Sequence, residues 1–229
     1  MFIRTNQILT RILYFVAFVT FSYQNLQSQI PYVKPDGEKI ELADFKGTPY
    51  LEKEFQKGVV YDGLTGKENN LFLRYDALND TFEMKDTKAT KNKEFLKKAY
   101  EVHVGINDKV FYYQNYINEG GRNVTGYLRE ITTVGDKKFY IKYGKNLVMP
   151  KKAATTLEQD RPGRIENESF YVVGVSNKLK ATDIKKKNVL DHFPNDKRSE
   201  LKQFIKKNRL RFKDEKDIKK LADYMKKIQ

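Results

Sequence analysis

The sequence predicts a mainly β protein with a C-terminal α-helical part. Apolar and polar residues alternate in short runs between residues 47 and 176, and turn-forming pairs such as Asn79-Asp80 separate these runs. From Ala181 onwards the apolar residues recur at the spacing of an amphipathic helix. The pattern predicts an antiparallel sheet, sandwich or open barrel of about eight strands, followed by two or three short amphipathic helices.

The strand predictions rest on residue alternation. Leu71, Leu73 and Tyr75 fall on one face of a strand, with Arg74 on the other. The next strand begins after the Asn79-Asp80 turn, which predicts a hairpin. The other predicted strands cover residues 59–61, 100–104, 110–114, 127–132, 139–143 and 170–175.

Two stretches of the β-rich region are ambiguous. Residues 91–98 fit either one helical turn or another strand. Residues 150–168 have no apolar period and contain a Pro162-Gly163 turn. Because long irregular loops in compact domains are either functional or disordered, we predict disorder or a mobile flap there, with a binding loop as the alternative.

Three helices are predicted at the C-terminal end. The first covers residues 184–193 and ends before Pro194, and the second covers residues 196–208. The third begins after Asp214, a favourable N-cap residue, with Asp217 three positions later as a weak capping box. Its apolar stripe consists of Ile218, Leu221, Ala222, Met225 and Ile228.

The first 29 residues predict a cleavable secretory signal peptide. Arg4 and Arg11 precede an apolar run at residues 12–21, and a polar stretch follows. A membrane anchor or a plain N-terminal helix is the alternative, but a spanning helix needs about 20 apolar residues. We therefore expect a signal peptide at 1–29, a β-rich domain at 30–177 and a basic helical tail at 178–229. No transmembrane span is expected in the mature chain.

The chain contains no cysteine, which excludes disulfides, thiolate catalysis and lipid attachment through a cysteine. A conventional hydrophobic core must therefore hold the fold. The 15 tyrosines and 15 phenylalanines predict that this core is rich in aromatic side chains.

The positive charge is concentrated in the predicted tail. Residues 178–229 hold 18 Lys and Arg against 8 Asp and Glu, a net charge of +10 out of +14 for the chain. Like charges four residues apart destabilise a helix by about 0.2–0.5 kcal/mol per pair, and an acidic partner would relieve that repulsion. A solvated lysine-rich face is the alternative interpretation. The candidate binding residues are Lys185, Lys186, Lys187, Arg198, Lys202, Lys206, Arg209 and Arg211.

Catalytic motifs are missing from the sequence, so we expect a protein that is not an enzyme. There is no nucleophile elbow, phosphate-binding loop or zinc-binding motif, and we expect no cofactor and no metal. Glu101 and His103 share a predicted strand face and could act as a carboxylate–base pair, although a solvated face is the simpler interpretation. His192 is interpreted as a helix-end residue.

Several segments resemble a family of exported, periplasmic or envelope proteins from Bacteroidetes. These are G-T-P-Y-L at residues 47–51, K-G-V-V-Y at 57–61 and L-R-Y-D-A-L-N-D-T-F-E at 73–83. The endings K-K-K-N-V-L-D-H-F, E-L-K-Q-F-I-K-K-N-R-L and K-D-E-K-D-I-K-K-L-A-D-Y are similar to the C-terminal tail of that family. The resemblance implies an envelope location and a β-rich body with a helical tail, and it assigns no activity and no site residues.

Together these features predict an exported accessory or binding protein of the periplasm or outer envelope. We expect it to dock to an envelope protein complex through the basic helices. The alternative is direct binding of anionic lipid or envelope polymer by the same helices. Nucleic acid is not the expected partner, because export removes the chain from it.

Overall fold

The computed structural model describes residues 32–33, 39–155, 158–175 and 178–228. The predicted signal peptide at 1–29 lies outside the described residues. The chain divides into two compact units, with the boundary between Ile40 and Glu41. In the first unit, β1 (Tyr32–Val33) and β2 (Lys39–Ile40) pair in antiparallel orientation.

The second unit contains a ten-stranded sheet and a separate two-stranded sheet. Its strands are β3 (Gln56–Asp62), β4 (Lys67–Asp76), β5 (Thr81–Lys85), β6 (Glu94–Phe95), β7 (Val102–Ile106), β8 (Lys109–Ile117), β9 (Asn123–Val134), β10 (Lys137–Lys142), β11 (Lys145–Val148), β12 (Arg164–Asn167), β13 (Phe170–Val175) and β14 (Lys178–Thr182). The large sheet has the spatial order β14–β13–β10–β9–β8–β7–β3–β4–β5–β6. Each predicted strand overlaps an observed one, although Tyr100 and Glu101 lie in the turn before β7. The described residues of this unit form twelve strands, more than the eight or so predicted.

Five strands of the large sheet close into a barrel. β8, β9, β10, β13 and β14 are antiparallel neighbours in that order, and β14 then lies parallel to β8 at Lys180 and Ile117. Closure leaves each of these strands with neighbours on both sides. Every strand contributes at least one buried side chain to one shared cluster: Tyr116, Leu128, Tyr140, Val172, Leu179 and Ala181.

The remaining five strands extend the sheet from β8 and curl back onto the barrel strands. Phe82 of β5 lies 4.8 Å from Tyr127 of β9 and 5.2 Å from Phe111 of β8, measured between ring centroids. The Asn79-Asp80 turn joins β4 to β5, as predicted, and Asp80 has a φ of 53°. Asp tolerates this left-handed conformation better than most residues. The predicted aromatic-rich core is present in this cluster.

Two α-helices, α1 (Arg198–Lys207) and α2 (Glu215–Lys227), cover the outer side of the barrel. Asp214 accepts a hydrogen bond from the backbone N–H of Lys216 at 2.9 Å, so the predicted N-cap is confirmed. The apolar faces of both helices pack on Val134, Phe139 and Val173. Phe139 and Tyr140 are adjacent in β10, which is why they point to opposite faces, one to the helices and one into the barrel.

The structure corrects the helix count. Residues 184–193 do not form the first predicted α-helix; they contain only a 3-10 turn, Val189–His192. The Asn188 side chain accepts from the N–H of Lys185 and donates to the carbonyl of Asp183, and such local bonds compete with a helix. The coarse prediction of a mainly β fold with C-terminal helices is confirmed. Residues 178–182, placed in the tail by the sequence, form β14.

Both ambiguous stretches contain strand. Residues 91–98 include the two-residue β6, which pairs with β5. Within 150–168, the prediction of no strand is wrong for β12, which pairs with β11 and places Ile165 opposite Leu147. β12 contains a single apolar residue, so its sequence shows no alternation of apolar and polar side chains. Its strand structure follows from pairing with β11. None of the helices in the described part of the chain is long and apolar enough to cross a membrane.

Candidate functional site

The structure places all eight predicted binding residues at the protein surface. We call them together the basic surface. Residues 185–187 follow β14, Arg198, Lys202 and Lys206 lie along α1, and Arg209 and Arg211 lie between the two helices. The structure brings the α1 residues onto one exposed side of that helix. The adjacent side of the helix carries buried apolar residues, namely Leu201 and Ile205.

Two members of the basic surface have acidic partners. Arg198 pairs with Asp191 at 2.7 Å, and Lys185 pairs with Asp183. Both pairs are largely exposed, and exposed pairs contribute about 0–1 kcal/mol. The other six members form no ion pair with any acidic residue that the structure describes.

Three acidic residues of the tail, at the start of α2, are engaged away from the basic surface. Asp214 caps α2, and Asp217 accepts the backbone N–H groups of Arg211 and Phe212, both at 2.8 Å. Glu215 pairs with Arg129 on β9. These carboxylates lie in or near the first turn of α2, where the helix dipole favours negative charge. These carboxylates stabilise the fold and do not pair with the neighbouring exposed lysines and arginines of the basic surface.

The contact between Arg129 and Glu215 joins the tail to the barrel. Arg129 is 8% exposed, and the Tyr143 hydroxyl donates to the same Glu215 oxygen at 3.4 Å. Burial raises the pKa of Tyr143 to about 12, against the lowering effect of the nearby positive charge of Arg129. Breaking this contact would leave a buried guanidinium without its charge partner.

The carboxylate–base pair that Glu101 and His103 could have formed is not assembled. The His103 ring stacks on Tyr61 at 5.9 Å and contacts the tilted ring of Tyr112 at 4.5 Å, both measured between ring centroids. Burial lowers the pKa of His103, and the positive charge of Lys138 lowers it further. Across the residues with a described structure, no hydrogen bond joins His103 to Glu101, and no group of three or more potential ligands could hold a metal ion.

The sequence reasoning missed a buried ionic cluster at the end of the barrel. The Lys142 Nζ lies 2.5 Å from Asp80 Oδ1, and the Tyr75 hydroxyl donates to the same oxygen at 2.6 Å. Burial lowers the pKa of Lys142, and the Asp80 charge opposes that shift. Asp80 also accepts the backbone N–H of Tyr127 at 3.2 Å. The cluster therefore ties the β4–β5 turn to β9 and β10.

A second missed cluster surrounds Glu83, which is 1% exposed. Arg74 donates to Glu83 Oε2 at 2.6 and 3.1 Å, Lys93 binds Oε1, and the Arg74 guanidinium stacks 3.6 Å above the Tyr50 ring. Glu83 alternates with the apolar residues Phe82 and Met84, and this pattern predicted that the Glu83 side chain faces solvent. The available signal was the hairpin register, which places Arg74 directly opposite Glu83.

Comparison with known proteins identifies no relative: no family model, no curated protein and no solved structure matches this chain. The resemblance to exported Bacteroidetes proteins therefore stays a prediction.

Proposed function

We propose that this chain is an exported, non-enzymatic binding module of the cell envelope, which docks to an acidic protein partner through its basic surface. The location rests on the predicted signal peptide. The docking rests on one observation: six cationic side chains of the basic surface face solvent without an acidic partner among the described residues, while the carboxylates of Asp214, Glu215 and Asp217 are engaged in contacts of the fold.

Unpaired exposed cations provide long-range attraction toward an acidic surface. Such a charge arrangement raises association rates and suppresses wrong partners more than it adds to affinity. The repulsion between Lys202 and Lys206, four residues apart on α1, is relieved when an acidic partner binds. A partner surface rich in Asp and Glu satisfies both conditions.

The burial of the apolar helix faces favours a protein over a bilayer. Helices that bind membranes insert an apolar face into the headgroup region. In α1 and α2 the corresponding residues, such as Leu201, Ile218 and Leu221, are buried against the sheet. None of the described large apolar side chains that are exposed belongs to either helix. Contact with lipid would therefore depend on charge alone.

The test compares two charge-reversed variants of the full-length protein. One reverses Lys202, Lys206 and Arg209 to Glu; the other reverses Lys88, Lys91 and Lys97, which are exposed lysines of the body. Both change the net charge equally. We expect crosslinking in envelope extracts to recover an acidic partner with wild type and the body variant, and not with the tail variant. Purified, that partner should bind more weakly as added salt shortens the Debye length.

Three outcomes overturn the proposal. Equal capture by both variants would show that the basic surface is not the docking site. Salt-sensitive binding of wild type to vesicles of phosphatidylglycerol, but not of phosphatidylcholine, together with no protein partner, would replace it with the lipid alternative. Envelope polymer would be identified by salt-sensitive sedimentation with the insoluble envelope fraction after protein removal.

A further inference from the structure

The turn between α1 and α2, residues 208–212, carries two exposed arginines of the basic surface, Arg209 and Arg211. We propose that this pair is the anchor of the docking site and binds the side-chain carboxylates of an acidic protein segment. The inference rests on the proposed function and adds to it which residues of the basic surface hold the partner. The lysines of α1 then attract the partner from a distance, which raises the association rate more than the affinity.

Arg209 has a left-handed backbone conformation, with a φ of 54°. It ends α1 in a Schellman motif. The N–H of Leu210 donates to the carbonyl of Ile205 at 3.1 Å. The N–H of Arg209 donates to the carbonyl of Lys206 at 3.3 Å. Glycine is the usual residue at this position, because a Cβ crowds the backbone in the left-handed region. An arginine here therefore destabilises the folded chain relative to glycine.

Among the described residues, the Arg209 side chain has no polar contact that would offset this cost. It is exposed, and its guanidinium neither donates a hydrogen bond nor pairs with a carboxylate there. A cation is favourable at the C-terminal end of a helix, but Lys206 and Lys207 already supply that charge in the last turn of α1. Backbone strain that the fold does not require is typical of functional sites. The strain at Arg209 therefore indicates that its side chain acts on another molecule.

The rest of the turn is held in place on both sides of the arginines. Leu210 and Phe212 are 2% and 5% exposed, and both belong to the core beneath the helices. The Asp217 carboxylate accepts the backbone N–H groups of Arg211 and Phe212, both at 2.8 Å. The backbone that carries Arg209 and Arg211 is thus fixed before a partner binds. A backbone ordered in advance lowers the entropic cost of association.

Arginine at both of these fixed positions indicates the chemistry of the ligand. A guanidinium is a planar fork that forms two parallel hydrogen bonds with one carboxylate, whereas a lysine ammonium acts as a point charge. Like Arg209, Arg211 has no ion-pair partner among the described residues, so both forks are available. Arginine is also enriched among the few residues that carry most of the binding energy of protein interfaces. Aspartate and glutamate side chains of a partner provide the matching carboxylates.

The experiment titrates a fluorescein-labelled oligo-aspartate peptide with the full-length protein and follows the fluorescence anisotropy. The same proteins are unfolded by heat in about 1 M sodium chloride, where the Debye length is about 3 Å and exposed charges are screened. Arg209→Gly should weaken peptide binding about tenfold, because one bidentate contact is lost. It should also raise the melting temperature by about 2–4 °C, because the left-handed strain is released. Opposite changes in affinity and stability distinguish a docking anchor from a residue that supports the fold.

Three further variants separate the anchor from its charge. Lys202→Gln removes one positive charge from the same surface, as Arg209→Gly does, and should weaken peptide binding less than about threefold. Arg209→Lys keeps the charge and the left-handed backbone but removes the fork. It should therefore weaken binding about fivefold and leave the melting temperature unchanged. Arg211→Gln should weaken binding like Arg209→Gly without raising the melting temperature, since Arg211 does not have a left-handed backbone.

Three results would overturn the inference. Absence of peptide binding to wild type would remove the carboxylate site. Equal weakening by Arg209→Gly and Lys202→Gln, or full binding by Arg209→Lys, would mean that net charge alone holds the peptide. A melting temperature of Arg209→Gly at or below that of wild type would remove the argument from strain.

The crosslinking test of the proposed function separates its failure from the failure of this inference. If the purified partner binds Arg209→Gly as tightly as wild type and does not bind the tail variant, the docking proposal is retained and the anchor is wrong. If the peptide binds through Arg209 but envelope extracts yield no protein partner, the docking proposal is wrong and the carboxylate site is retained.

Discussion

Charges are arranged differently in the sheet and on the C-terminal helices. Lys142 in the sheet is 7% exposed and is held by Asp80 and Tyr75. Lys202 on α1 is exposed and has no acidic partner among the described residues. Desolvation explains the difference, because a buried ion needs a partner and an exposed ion is stabilised by water. Burial and ion pairing therefore distinguish the cations that stabilise the fold from the exposed cations that are available to bind another molecule.

The contact between Arg129 and Glu215 lies at the junction of these two regions. Here a helix residue supplies the carboxylate and a barrel residue supplies the buried cation. The tail therefore contributes to the core as well as to the surface. Its removal would uncover Phe139 and Val173 and leave Arg129 unpaired, so charge reversal is a cleaner test of docking than truncation.

The largest expected effect is alkaline unfolding, which acts on the sheet region. Burial raises the pKa of Tyr50, Tyr116 and Tyr143 to about 12, against an ordinary value of 10.0. The unfolded chain then loses its tyrosine protons at lower pH than the folded chain, so stability is retained below pH 10 and falls as the pH rises from 10 towards 12. Urea unfolding, with tyrosinate absorbance as the titration signal, measures this. A free energy of unfolding that stays constant over that range would contradict the burial of these rings.

The second effect compares one ion pair from each region. Asp80→Asn removes the charge partner of buried Lys142 and should cost about 3 kcal/mol, since a buried charge is left uncompensated. Asn tolerates the left-handed backbone at this position, so the charge is what the substitution changes. Asp191→Asn removes the partner of exposed Arg198 and should cost less than about 0.5 kcal/mol. Chemical denaturation of both variants gives the two values.

A double substitution identifies the cause. Adding Lys142→Met to Asp80→Asn removes the uncompensated charge and should restore more than half of the lost stability. If the double variant is no more stable than Asp80→Asn alone, the cost comes from the turn geometry and not from the buried charge.

The smallest effect concerns the free cations of the tail. Lys202→Glu replaces repulsion with attraction toward Lys206 at the i, i+4 position, so the free energy of unfolding should rise by about 0.2–0.5 kcal/mol. Lys202→Gln, which only removes the repulsion, is the control and should give a smaller rise. A loss above about 1 kcal/mol in thermal or urea unfolding would mean that Lys202 supports the fold.

The sequence correctly predicted those elements that are determined by the residue pattern within the element itself. The alternation around Leu73 and the turn at Asp80 predicted the β4–β5 hairpin, and Asp214 predicted the start of α2. The failures occur where a partner decides the structure. β12 forms because β11 lies beside it, and residues 184–193 turn because the Asn188 side chain binds the nearby backbone.

The sequence also identified the residues of the basic surface and their exposure, since a run of unpaired lysines cannot be buried. It could not identify the open edge of β8. Residues 113–116 lack a strand partner on that edge in the described part of the chain, because β7 pairs only as far as Tyr112 and β14 approaches only at Ile117.

By itself, then, the sequence determined the mainly β class, the helical C-terminal end, the aromatic core and the concentration of positive charge, because these follow from residue type and local spacing. Only the tertiary structure decided the barrel closure, the burial of Glu83 and Lys142, and the contacts of Glu215 with Arg129 and of Asp217 with the backbone before α2. Those features depend on contacts between distant residues, such as Arg129 with Glu215, and no local period encodes them. The unpaired cations of the basic surface depend on both the sequence and the tertiary structure. The residue types supply the positive charge, and the fold holds the carboxylates at the start of α2 in other contacts.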